Sequence, residues 1–256
     1  MRAKWIWLLF LIPAFAQTDE ARRLLSLGVQ AYKDARYTEA VQHFQSAVQA
    51  EPDFLDAWLH LGTAYMSQYV PGGDTPANIE SARQAEEAFR QVLEREPENR
   101  VARASLGSLC FNQKKLDDAV EWNRRLIRIE PRNKETFYTL GVIAWTKSYD
   151  ARKEARTRAG MKLEDRGPIK DPALRQELRE RNLAVIDEGV RNMETALGID
   201  PDYDDAMVYI NLLYREKADL QDSTEEYARY TRMADEWVRK TLATKKVKAA
   251  RRPNQQ

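Results

Sequence analysis

From Ala21 onward, apolar side chains recur three, four and seven residues apart in short runs, and the runs come in pairs. Leu24, Leu27 and Tyr32 fall on one face of a first amphipathic helix, and Ala40, Phe44 and Ala47 on one face of a second. A polar break from Asp34 to Tyr37 parts the two. Pro52 closes the pair, because it cannot continue the helical ladder and forces the residue before it out of helical geometry. The pattern predicts a helical hairpin over residues 21–54.

That hairpin repeats. Gly28, Gly62, Gly107 and Gly141 are separated by 34, 45 and 34 residues, and Pro52, Pro97, Pro131 and Pro201 by 45, 34 and 70. Because 45 exceeds 34 by 11 and 70 exceeds it by 36, one 34-residue unit recurs with two insertions. The second unit supplies Trp58, Leu61, Gly62 and Tyr65, then Ala85, Phe89, Val92 and Pro97. The third has Leu106, Gly107 and Cys110, then Ala119, Leu126 and Pro131, and the fourth Phe137, Leu140, Gly141 and Ala144, then Gly189, Met193, Ala196 and Pro201. The fifth opens with Met207, Ile210, Asn211 and Tyr214.

These spaced positions resemble the tetratricopeptide repeat. The departures are Arg103 where an apolar residue is usual, Asn123 where an aromatic is usual, and Asn211 in place of the glycine. The resemblance implies an all-α fold, a right-handed α-solenoid of about five helical hairpins over residues 17–241, with units near 21–54, 55–99, 100–133, 134–203 and 204–241. Glycine and alanine let paired helices approach closely, as Gly28 and Ala40 do beside Phe44. Ser223 caps a last helix carrying Tyr227, Tyr230, Ala234, Trp237 and Val238 on one face, which reads as the lid that an open-ended stack needs. Beyond it, residues 242–256 are basic, have no apolar face and read as a disordered tail.

The glycine-to-proline interval is 24 residues in the first and third units but 35 in the second and 60 in the fourth, so both insertions separate the two helices of one hairpin. The first is a Pro/Gly loop, Pro71 to Pro76, with Thr75 and Pro76 placed to start the next helix. The second elongates the fourth hairpin, whose first helix is expected to run to about Ala159 and its second to start at Pro172 behind an Asp171 cap. Residues 147–181 hold 11 basic and 7 acidic side chains, which reads as a solvated charged finger or as a basic contact surface.

Residues 1–16 carry Arg2 and Lys4 ahead of an 11-residue apolar run, Trp5 to Phe15, and end in Ala14-Phe15-Ala16. This is the form of a cleavable signal peptide, with cleavage expected after Ala16, and places the mature chain in the periplasm or outside a bacterial cell. A membrane association is expected only if the segment stays uncleaved. Without it the chain keeps 39 basic and 40 acidic residues, a balance that gives no pull toward nucleic acid. The single Cys110 excludes an internal disulfide.

Catalysis finds no constellation. His43 and His60 lie at no metal-ligand spacing, Gly72-Gly73 lacks the lysine of a phosphate loop, and no nucleophile is placed beside a base. The expectation is a non-enzymatic scaffold without cofactor or metal, taking a protein or peptide partner. The resemblance implies that first helices line a concave groove through fixed repeat positions. Those positions hold Leu25, Val29 and Tyr32, then Leu59, Thr63 and Met66, then Ala104, Ser108 and Phe111, and Tyr138, Val142 and Trp145. Such a groove is apolar and aromatic, unlike the basic carboxylate clamp of cytosolic chaperone binders, because Leu25 and Val29 stand where that clamp has lysine and asparagine. It suits an apolar helix or extended peptide. The same surfaces buried in a homo-oligomer are the alternative.

Overall fold

The computed structural model describes residues 14–251. The expected signal segment therefore lies almost wholly outside the described residues, as do residues 252–256. Ten helices are described, and no strand is found among the described residues. The chain divides at Lys114–Lys115 into two compact units, between the two helices of the third predicted pair.

The first unit contains α1 (Ala14–Lys33), α2 (Tyr37–Ala50), α3 (Leu55–Gln68), α4 (Pro76–Arg95) and α5 (Arg100–Asn112). Helices α1 with α2 and α3 with α4 form antiparallel pairs, and α2 packs on α3. Phe44 and Phe89 are fully buried, and each fills the space left by the glycine opposite. A Cβ on Gly62 would lie 2.7 Å from the Phe89 ring, and one on Gly28 would strike Phe44. The seam therefore requires glycine for close approach.

Local sequence sets the helix ends. Thr75 Oγ1 accepts from the Asn78 amide at 3.3 Å, with Pro76 in the first turn. Asn99 caps α5 through the Ala102 amide at 3.0 Å. Residues ahead of the repeat prolines leave helical geometry, as Glu51 does at φ −140, ψ 91. The α1–α2 turn closes through Ala35 at φ 57, and Lys114 takes the matching position after α5 at φ 60. The Pro/Gly insertion is ordered by Asn78: its side chain accepts from the Val70 amide at 2.7 Å and donates to the Val70 and Gly73 carbonyls, each at 2.9 Å.

The second unit contains α6 (Leu116–Ile129), α7 (Lys134–Arg158), α8 (Pro172–Ile199), α9 (Asp204–Asp219) and α10 (Thr224–Ala250). Its core gathers Ile186, Met193, Ile210 and Leu213 among others, with Met193 filling the space beside Gly141. Asp171 caps α8 through the Ala173 and Leu174 amides at 2.9 and 3.1 Å, and Ser223 caps α10 through Glu226 at 3.1 Å. Asn123, the polar substitute on α6, is buried and donates to the Ala119 carbonyl at 2.8 Å.

Two expectations are corrected. Residues 147–181 are not a solvated finger. Ile169 and Met161 are buried, the Ile169 amide donates to the Asp219 carbonyl at 3.1 Å, and Arg156 is only 1% exposed. Arg156 spends its guanidinium on the Lys162 carbonyl at 3.0 Å, the Asp165 carbonyl and the Asp219 carboxylate at 2.7 Å. The insertion thus clasps the end of α9, and its few apolar residues suffice because a buried arginine organises the loop. The disordered tail is likewise corrected as far as Arg251. Helix α10 continues past Leu242 to Ala250, held where Lys248 pairs with Asp204 and Arg251 with Asp202 at 2.7 Å.

Candidate protein-binding surface

In the first unit, Leu25, Val29 and Tyr32 pack half-buried against the α1–α4 core. Their exposed portions follow from helical spacing: each sits beside a core position rather than on it. Tyr32 shares a hydrogen bond with the Ser67 hydroxyl at 2.8 Å and tilts against the Tyr37 ring at 5.3 Å. Leu59, Thr63 and Met66 on α3 are also half-buried, and Thr63 spends its hydroxyl on the Leu59 carbonyl at 2.8 Å. Phe111 is half-buried near the end of α5, whereas Ala104 and Ser108 are exposed.

In the second unit, Tyr138, Val142 and Trp145 follow one another along α7, and each packs half-buried against the core. Tyr209 of α9 enters between the two aromatic anchors, edge-on to Tyr138 at 5.5 Å and to Trp145 at 5.6 Å. Tyr203 lies 5.2 Å from Tyr138, and Tyr149 lies 5.0 Å from Trp145. A five-ring cluster results, in tilted and edge-to-face contacts that favour aromatic pairs. Tyr138, Val142 and Trp145 are among the groove positions expected from the sequence, whereas Tyr149, Tyr203 and Tyr209, which complete the ring cluster, are not. Tyr209 sits one residue beyond the repeat position assumed to face a ligand, so only the density of tyrosines at 203, 209 and 214 marked it.

Two phenols of the cluster are held protonated, and cations flank it. Burial, then neighbouring Tyr209 and Asp205, push the Tyr138 phenol well up, and burial with Glu135 raises Tyr203 to about 12, so the hydroxyls stay protonated hydrogen-bond donors. Lys134 stands 4.8 Å over the Tyr203 ring and Arg152 5.5 Å over Tyr149. Beneath Trp145 lies a charge cluster: Glu216, 2% exposed, with Arg152, Arg156 and Asp219. Burial pushes the Glu216 carboxyl up to about 8, against the opposing pull of Arg152 and a hydrogen bond from Trp145. Burial also raises Asp219.

The surface offers flat apolar faces and phenol donors. The histidines take packing roles: His60 stacks on Phe44 at 5.4 Å, and His43 faces Glu39 at 3.7 Å. Among the described residues, no group of three or more histidine, cysteine or acidic side chains is arranged to hold a metal. No described helix is long and apolar enough to cross a membrane.

The tetratricopeptide repeat family model matches residues 25–83 and 77–134. Among solved structures, a MamA protein is similar at 16% identity and TM-score 0.62, over 92% of this chain and 97% of that one. MamA 41-end from Desulfovibrio magneticus RS-1 is similar at 14% identity and TM-score 0.60, over 90% and 97%. At these identities the likeness concerns the fold.

Proposed function

The chain carries tetratricopeptide repeats, and on that premise we propose that it is a non-enzymatic interaction scaffold, exported to the bacterial envelope, that takes a partner helix or peptide on the aromatic faces of its first helices. One observation carries the reading: Tyr138 and Trp145 keep part of their rings accessible while Tyr209 wedges them in place. Fixed aromatic rings give large contact area at little cost in side-chain freedom, which is why they dominate binding hot spots. The export half of the reading rests on residues 1–16 alone, and a mature protein beginning at Gln17 by mass spectrometry tests it. For the groove, affinity capture from envelope extract compares wild type with Tyr138→Ala plus Trp145→Ala. Unchanged recovery removes these rings from the account. Because Trp145 also supports Glu216, Trp145→Phe is run alongside, with circular dichroism to establish that each variant is folded.

A homo-oligomer is the second reading, favoured by Leu242 at 63% and Val247 at 45% exposure along α10. Light scattering over a concentration series, with Leu242→Glu as the disrupting variant, decides it: a monomer at every concentration ends the idea.

A further inference from the structure

The insertion that clasps α9 also roofs a cavity. Its volume is about 670 Å³, and its wall comes from the α7–α8 connection, α9 and α10. Five arginines line it (Arg152, Arg156, Arg166, Arg215 and Arg232) against four carboxylates, from Glu164, Asp165, Asp219 and Asp235. The pairing is uneven. Asp219 is shared by Arg152 and Arg156, and Asp235 is taken by Arg215 at 2.7 Å. Arg166 and Arg232 are exposed, line the cavity and make no ion pair among the described residues, while the Glu164 and Asp165 carboxylates of the same lining are not paired with an arginine either. On the floor, Arg152 is only 16% exposed, and its Nε–H lies 3.0 Å from Glu216 without the alignment of a hydrogen bond. An under-satisfied buried guanidinium is costly to leave so. Tyr227, Leu163 and Ala228 supply an apolar side to the same space.

We propose that this cavity binds a small organic anion, bearing phosphate or carboxylate, which Arg152, Arg166 and Arg232 hold while its apolar part lies along Tyr227. The guanidinium fork matches both anions with two parallel hydrogen bonds, which an ammonium does not. The volume lies within the roughly 300–1,000 Å³ of ordinary small-molecule sites, so the occupant is a small molecule rather than a protein segment. The site is independent of the aromatic surface and of the scaffold reading.

Calorimetric titration of the full chain tests it with four probes: citrate, pyrophosphate, inorganic phosphate and phenyl phosphate. The double variant Arg166→Gln with Arg232→Gln removes two exposed cations of the lining that make no ion pair among the described residues. Arg191→Gln with Lys246→Gln removes the same charge from outside the cavity. Expected is one-to-one binding of at least one probe by wild type, weakened about tenfold or more in the first variant and unchanged in the second. Preference for citrate or for the phosphates identifies the anionic group, and phenyl phosphate binding more tightly than inorganic phosphate places the apolar part against Tyr227. Failure of all four probes to bind, or equal weakening in both variants, overturns the proposal, while phenyl phosphate binding no better than inorganic phosphate removes Tyr227 from it.

Discussion

Trp58 and Arg103 occupy the same place in successive repeats, 45 residues apart, and make the same hydrogen bond. The Trp58 indole donates to the Pro52 carbonyl at 2.8 Å, and Arg103 donates to the Pro97 carbonyl through Nε at 2.9 Å and Nη2 at 2.7 Å. The residue that departs most visibly from the repeat thus keeps the polar task of Trp58, so that α3 and α5 are each tied to the proline turn before them. Arg103→Met is expected to lower stability by about 1 kcal/mol, and Arg103→Trp by less, in urea unfolding of the whole chain.

The glycine seams are intolerant of a single methyl. Gly62→Ala is expected to cost about 1–3 kcal/mol, because Phe89 is fully buried and cannot swing away. Combining it with Phe89→Leu should cost less than the sum of the two changes, since the smaller side chain gives the methyl room. Thermal unfolding of the four proteins in the cycle measures that coupling.

Arg156 is expected to matter far more than its neighbour Arg158, which is exposed and 3.9 Å from its nearest carboxylates. Arg156→Met leaves Asp219 with Arg152 alone, at 3.3 Å, and strips the Lys162 and Asp165 carbonyls of their donor, a loss of about 3 kcal/mol. Arg158→Met should change stability by less than about 0.5 kcal/mol. Denaturant titration compares them.

Stability should fall as the pH rises from about 4.5 to about 8. The folded protein holds a proton on Glu216 up to about 8, whereas the unfolded chain releases it near 4.5, so folding takes up a proton between those values. The contribution is full below that window and is lost as pH rises through it, by up to about 1.4 kcal/mol per pH unit. Asp219, also raised, acts in the same direction. Glu216→Gln should flatten the curve of melting temperature against pH and leave the variant more stable than wild type above about pH 8. A variant curve parallel to wild type would refute the assignment.

Asp204 titrates in the opposite sense, held below the usual carboxylate range first by its hydrogen bond from Lys248. Asp204→Asn should release the last turns of α10, so that amides from Lys245 to Ala250 exchange faster while those near Ala234, which is fully buried, do not change.

The repeat spacing made the hairpins legible, because Gly62, Phe89 and Pro97 each announce a packing or chain-ending task by residue type. Asp171-Pro172 and Thr75-Pro76 marked helix starts for the same reason. The clasp was illegible for a physical cause: Arg156 reads as surface, and its burial depends on carbonyls at Lys162 and Asp165 that only the folded loop converges. The last turns of α10 were misread because pairing with Asp202 and Asp204 substitutes for an apolar face. Of the expected groove residues Tyr138 and Trp145 join one ring cluster, and Tyr209, which wedges between them, comes from the next repeat.

Ala35 holds left-handed backbone at the tip of the α1–α2 pair, and at the tips of α3–α4 and α7–α8 the chain has been lengthened, once into the Asn78-braced loop and once into the arginine-centred clasp. Extra residues entering there leave Gly28 against Phe44 and Gly62 against Phe89 undisturbed. The tip is therefore a natural grafting joint. A foreign loop spliced in at Ala35 would replace a strained alanine while sparing every seam, and would let this array display a new segment without redesigning the helices that carry it.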